Sequence, residues 1–200
     1  MVVLTTQRGS SLIELLTSTL LTATLMIMSY GFARAAFMSA RLQEVKSEAQ
    51  EVTVMAIDVL TRDLRMAGFN AAGTPLAGVR AAATDRIEIA CDLNGDGDSD
   101  DSNELIAYSY SQDKRQLMRA TGGSSPQPFA RNVAADGVRF TFFDSTGTAI
   151  RPSATGLSAP ERRRIRRIDV TLRVELPHPD PAITAPLMST VSGSVYLRNQ

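Results

Sequence analysis

Thirteen consecutive residues hold most of the chain's ligand chemistry: Asp92-Leu-Asn-Gly-Asp-Gly-Asp-Ser-Asp-Asp-Ser-Asn-Glu104. Asp92, Asn94 and Asp96 place oxygen donors at loop positions one, three and five, and Gly97 at position six permits a sharp turn. That matches the first half of an EF-hand loop, in which alternate residues point inward around a hard cation. Position twelve is Asn103, however, with Glu104 one residue later, and the flanks read as strands. The loop is therefore no EF-hand. It reads as a calcium loop of similar start, with Asp92, Asn94, Asp96 and Asp98 as candidate ligands and Asp100, Asp101 or Glu104 completing the shell. The competing reading is a solvated hairpin connection. Six carboxylates in thirteen residues repel one another, and relief of that repulsion favours calcium. Magnesium, with its stricter octahedron, suits such a loop less.

The other reactive residue types form no catalytic set. His178 is the sole histidine and lies in the rigid Pro-His-Pro-Asp-Pro, with no evident nucleophile or ligand set. Cys91 is the only cysteine, so an intramolecular disulfide is excluded. The run Arg162, Arg163, Arg164, Arg166 and Arg167 lacks interleaved aromatics, and 21 basic residues balance 21 acidic ones. The run reads as a solvated lead-in to a strand or a partner-facing patch, and no nucleic-acid partner is expected. No P-loop, zinc pattern or hydrolase elbow is present. The chain is expected not to be an enzyme.

One more acid stands out by its surroundings. From Leu15 to Ala33 there are nineteen residues without a charge, and Glu14 sits at the start of that run, five residues after Gly9. As a helix, nineteen residues span roughly 28 Å, close to one hydrocarbon core. Hydroxyls at Thr17, Ser18, Thr19, Thr22, Thr24 and Ser29 can bond back to carbonyls of the preceding turn, so they do not forbid insertion. The layout is not that of a secretory signal, which is cut after its apolar core at a small-residue site. Arg8 before the run and Arg34 and Arg41 after it leave orientation undecided by the positive-inside rule.

The pattern Arg8-Gly-Ser-Ser-Leu-Ile-Glu-Leu15 resembles the prepilin cleavage and methylation motif of type IV pilins and type II secretion pseudopilins. The resemblance implies that a prepilin peptidase cuts after Gly9, that Ser10 becomes the methylated N-terminus, and that Glu14 is mature residue five. The usual first mature residue is Phe, so Ser10 is a departure that bears on methylation more than on cleavage. Glu14 would then pair with the terminal amine of a neighbouring subunit inside an apolar helix bundle, where an unpaired charge is costly. The competing reading is an interfacial acid whose side chain reaches the headgroups. The helix end Leu-Thr-Arg-Asp-Leu-Arg-Met-Ala-Gly-Phe at 60–69, and Ile-Arg-Arg-Ile-Asp-Val-Thr-Leu at 165–172 with the terminal Val-Tyr-Leu-Arg-Asn, are similar to the large minor pilins of the PilW type and to pseudopilin J. The family implies a leader in the cytoplasm, an anchor in the bacterial inner membrane, and a head in the periplasm that later joins a pilus or pseudopilus. Its partners are the peptidase, other major and minor pilins or pseudopilins, the inner-membrane assembly platform and membrane lipid. The function implied is that of a minor pilin, with a type II secretion pseudopilin as the alternative. From another class, the alternative is a monomeric membrane-anchored calcium-binding module.

The elements that must carry these residues are legible as periodicities. Met38, Leu42, Val45, Ala49, Val52, Ala56 and Val59 form a stripe at four-three spacing, the mark of a one-faced helix. Gly68 is a natural left-handed cap, with Arg62 and Arg65 in the last turn. A helix from Ser11 to Met66 would be about 80 Å long, half for lipid and half for a sheet. Residues 69–83 read as a connecting loop, followed by strands around 87–91, 105–110, 116–120, 138–143, 168–176 and 191–197, most of them alternating between apolar and polar. The expected organisation is a leader at 1–9 and a long helix at 10–68, spanning the membrane at about 12–33 and amphipathic at about 34–67. An antiparallel β-rich head at 69–200 follows. The fold class is α+β, pilin-like, with the helix packed on an antiparallel sheet.

Overall fold

The computed structural model describes residues 11–73 and 76–199, so Gly9 and Ser10 lie outside the described residues. The chain divides into two compact units, one reaching to Glu44 and the other beginning at Val45. In the first unit, helix α1 (Leu12–Arg65) presents its apolar side chains outward: Leu12, Ile13, Leu20, Leu21, Ile27 and Phe32 are all more than half exposed. Its hydroxyls at Thr17, Ser18, Thr19, Thr22 and Thr24 are satisfied within the helix. Thr17 Oγ1 donates to the Glu14 carbonyl at 3.0 Å and Thr22 Oγ1 to that of Ser18 at 2.8 Å. Such internal pairing removes the polar penalty of a hydroxyl in an apolar setting.

In the second unit the last turns of α1 cover the head. The buried positions are Ala49, Thr53, Ala56, Ile57, Leu60, Thr61 and Leu64, whereas Val52 and Val59 of the expected stripe are 42% and 37% exposed. A strict four-three repeat follows a period of 3.5, and a straight helix of period 3.6 drifts off it by about 20° per heptad. The covered stripe is wider and rotated, and it includes two threonines. Both bond back to the helix, Thr53 Oγ1 to the Ala49 carbonyl at 2.5 Å and Thr61 Oγ1 to that of Asp58 at 3.0 Å. Burial therefore leaves no hydroxyl unpaired there. Gly68 takes φ 74° just past the helix end, a conformation that costs a residue with a Cβ.

The strands form two antiparallel sheets where the alternation alone suggests one. The first is a meander in chain order, β1 (Val79–Ala82), β2 (Arg86–Ala90), β3 (Leu105–Ser111), β4 (Gln116–Thr121) and β5 (Gln127–Ala130). The second has the order β7 (Ala149–Ile150), β6 (Val133–Phe143), β8 (Arg167–Leu176), β9 (Leu187–Tyr196). A short helix, α2 (Ala159–Arg164), leads into β8. Strand β1 falls inside the segment expected as loop. The alternating residues Ile168, Val170, Leu172 and Val174 of β8 point into the core with Phe140 and Phe142 of β6, Ile87 and Ile89 of β2, and Leu60 and Leu64 of α1. Gly193 of β9 lies under the helix. A Cβ there would stand 2.8 Å from Thr61 Cγ2 and 2.9 Å from Ile57 Cγ2, so only glycine lets the helix lie this close.

Candidate functional site

The acidic loop is the connection between β2 and β3. Ala90 pairs with Leu105 in the ladder, and the Cys91 N–H continues it by donating to the Glu104 carbonyl at 2.8 Å. The two ends of the loop are thereby clamped side by side. A second clamp holds the loop to the chain leaving α1. Asp92 N–H donates to the Phe69 carbonyl at 2.8 Å, and Ala71 N–H to the Asp92 carbonyl at 3.2 Å.

Within that frame the side chains divide into two sets. Asp92 is fully buried and works on the backbone: Oδ1 accepts from Gly95 N–H at 2.6 Å, and Oδ2 from Gly97 N–H at 3.2 Å and Ala72 N–H at 3.4 Å. Asn94, Asp96 and Asp98 each accept from the N–H two residues on, at 2.9, 3.1 and 3.0 Å. These successive Asx turns curl the chain tightly. The curl brings one carboxylate oxygen each from Asp96, Asp98 and Glu104 within 4.8 Å of one another. A cluster of this kind could hold a metal ion.

Glu104 differs from Asp96 and Asp98, both exposed, in being 2% exposed. Its Oε1 accepts from Leu93 N–H at 2.7 Å and Asn94 N–H at 3.2 Å, while Oε2 is buried with no hydrogen-bond partner. A buried carboxylate oxygen without a donor or cation is costly. Its negative charge is the main reason the Asp101 carboxyl is held above its ordinary range, with some burial and the charges of Asp96, Asp98 and Asp100 adding to it. Asp96, by contrast, is held below that range, chiefly by the Asn94 amide at 2.8 Å and then by the Asp98 N–H. Asp100 and Asp101 are exposed and lie outside the group of three, although Asn94 Nδ2 reaches Asp101 Oδ2 at 2.7 Å. Behind the loop Cys91 is buried, its Sγ 3.4 Å from the Glu104 carbonyl and 3.9 Å from that of Asn103. Burial first, then the charge of Glu104, raises its thiol pKa.

The remaining sequence candidates have structural occupations. Arg164 pairs with Asp144 at 3.1 Å, and Arg162 Nη1 donates to the Leu157 carbonyl at 2.7 Å. Arg166 Nη1 donates to the carbonyls of Arg163 and Ile165, and Arg167 lies 3.9 Å over the Phe143 ring. The arginine run is thus largely tied to its own turn and strand. His178 Nδ1 accepts from Asp180 N–H at 3.0 Å, closing the local turn. Glu14 stands in the first turn of α1, exposed, at the head of a stretch long and apolar enough to cross a membrane. A polar group that sequence reasoning does not find joins Asp63 of α1 to Tyr108 of β3 and Arg119 of β4. No protein-family model and no curated protein sequence matches this chain.

Proposed function

We propose that this chain is a structural subunit of the minor-pilin kind, anchored in the bacterial inner membrane by the first part of α1 and presenting its head on the periplasmic side. The observation that carries the reading is the surface of that helix. Large apolar side chains are exposed all round it from Leu12 to Phe37, which requires lipid or other helices as surroundings. Glu14 is the one acid at its start, and it stands five residues after Gly9 in the prepilin-like pattern. In this reading a prepilin peptidase removes residues 1–9, and Glu14 of one subunit pairs with the new terminal amine at Ser10 of the next. The pair sets the axial register of a helix bundle in which either charge alone would be costly. The partners are other pilins and the assembly platform, and the work done is assembly without turnover.

The cation suited to Asp96, Asp98 and Glu104 is calcium. All three offer hard oxygen donors, and calcium accepts the irregular shell a coil of Asx turns provides, whereas magnesium demands a near-ideal octahedron. The anchored-subunit reading is tested by intact-mass analysis after co-expression with a prepilin peptidase. Loss of residues 1–9, with or without one methyl group, is the expected result. A mature chain that still begins at Met1, or that begins after Ala33, would sink it.

A further inference from the structure

The two sheets end in four strands, and three of them are closed to a further strand. β1 has four residues, a register shift, and the Leu157 N–H on its Ala82 carbonyl at 2.8 Å. β5 has four residues, among them Pro128, which has no N–H to offer. β7 has only two. β9 carries none of these devices. It runs ten residues, Leu187–Tyr196, in unbroken register against β8, with neither a charge nor a proline. Among the described residues its backbone bonds to β8 alone. The outer row of N–H and C=O groups is a template for another strand.

The C-terminal end of that edge is charged. A cleft of about 460 Å³ is lined by Arg65, Ser194, Tyr196 and Arg198. Gly193 faces Ile57 and Thr61 of α1, so by the alternation of a strand Ser194 and Tyr196 face away from the helix. A cleft shared by these two residues and by Arg65 of α1 therefore opens at the edge of β9, between the two faces of the sheet. Neither the Arg65 nor the Arg198 guanidinium has an ion pair or hydrogen bond among the described residues. Two such charges beside one cleft favour an anion there.

We propose that the outer edge of β9 takes up an extended segment of a different protein chain as an added antiparallel strand, whose acidic N-terminal end meets Arg65 and Arg198. Main-chain hydrogen bonds supply the pairing, and the guanidiniums fix its register. The sequence of β9 argues against a second copy of this chain. Antiparallel pairing of two β9 strands over their full length sets Arg198 against residues 183–186, Ile-Thr-Ala-Pro, which hold no acid. Parallel pairing sets the arginines of both copies together, and like charges repel. The site lies on the head and stands independently of the membrane anchor and of the calcium loop.

The test uses the full-length protein in detergent and a fluorescein-labelled, end-blocked peptide of two glutamates and four Val-Thr repeats, the ten-residue length of β9. Binding is followed by anisotropy, and the amide exchange of 187–196 is measured with and without peptide. Saturable binding that slows exchange in β9 is expected. A peptide with glutamine in place of both glutamates should bind about threefold to tenfold more weakly, the range for partly exposed charge pairs. A peptide N-methylated throughout should not bind. In the double variant Arg65→Gln, Arg198→Gln, both positions being exposed, the glutamate and glutamine peptides should bind alike, with the melting temperature of the head unchanged. No saturable binding at millimolar peptide overturns the proposal, as does equal binding of the N-methylated peptide. So does a glutamate advantage that is absent in the wild type or survives in the double variant. A dimer of the free protein with β9 amides already protected would assign the edge to a second copy and overturn it as well.

Discussion

The Tyr108 hydroxyl donates to Asp63 Oδ2 at 2.6 Å, joining the middle strand of the first sheet to the last turns of α1. The same oxygen accepts from Arg119 Nε at 3.0 Å and Nη2 at 2.9 Å. The tyrosine is fully buried and its ring meets Phe129 edge-on, with centroids 5.2 Å apart. Asp63 thus receives three donors from two strands, and the helix is held to the sheet by direction as well as by apolar contact.

Removing that hydroxyl should be felt. A hydrogen bond to a charged partner contributes about 1.5 to 3 kcal/mol, and Tyr108→Phe should lower the unfolding free energy by about the lower end of that range, since Arg119 still serves Asp63. Burial, reinforced by the hydrogen bond to Asp63 and its charge, raises the Tyr108 pKa far above its ordinary value of 10.0. A raised pKa means that the folded state resists ionisation. The contribution is complete below 10.0 and is lost as alkaline pH ionises the unfolded chain first. Thermal melting across that limb should show a steeper fall in the wild type than in Tyr108→Phe. Parallel curves would exclude Tyr108 as the group responsible.

Gly193 is the second contact between helix and sheet. Gly193→Ala places a methyl against Thr61 Cγ2 and Ile57 Cγ2, at 2.8 and 2.9 Å before relaxation. Overpacking of this kind destabilises by about 1 to 3 kcal/mol. Thr61→Ser removes one of the two opposing methyls, so the double variant should lose less than the sum of the single losses. Strict additivity in urea unfolding would show that the methyls do not meet.

Asp144 should mark the acid limb. Its carboxylate accepts from the Thr146 hydroxyl at 2.6 Å and the Thr146 and Thr148 N–H groups at 2.9 and 3.0 Å, and pairs with Arg164. These bonds, the Thr146 hydroxyl foremost, hold its pKa down at about 2, from an ordinary 3.8. A lowered pKa contributes stability that is present above 3.8 and lost as pH falls through about 2. Asp144→Asn should flatten the dependence of melting temperature on pH within that window and leave the rest of the curve alone. An unchanged acid limb would show that Asp144 does not govern it.

Glu14→Ala separates insertion from assembly. Taking an acid out of an apolar helix should favour insertion or leave it unchanged. Recovery with neighbouring pilin subunits should drop sharply, because the register pair is lost. Co-purification of wild type and variant in equal yield from the same membranes would remove Glu14 from the proposed pairing.

The parts of this protein legible in its sequence are those whose signal is local. The charge-free run 15–33 is an exposed apolar helix because nineteen consecutive residues leave it no charged face. The strict alternation of 168–176 is a strand with one face in the core because the side-chain period of a strand is two. Short elements without such periods escaped it: β1, β5 and β7 are formed by pairing with their neighbours' edges, which no window of residues displays, and α2 has only six residues and a local Ser158–Glu161 capping box to announce it. The helix stripe was readable at Ala49 and Ala56, which are buried, but not at Val52 and Val59, where a strict four-three repeat drifts off the face the sheet covers. The acidic loop could be recognised from its residues, yet nothing in its spacing separates Asp92, bound to backbone N–H groups, from Glu104, buried with an unpartnered oxygen. That distinction arises when β2 and β3 pair and close the loop's ends. Asp63 and Tyr108 stand 45 residues apart and Asp63 and Arg119 56. Only packing α1 on the sheet makes them neighbours, because burial and partner geometry are properties of the assembled core and of no segment within it.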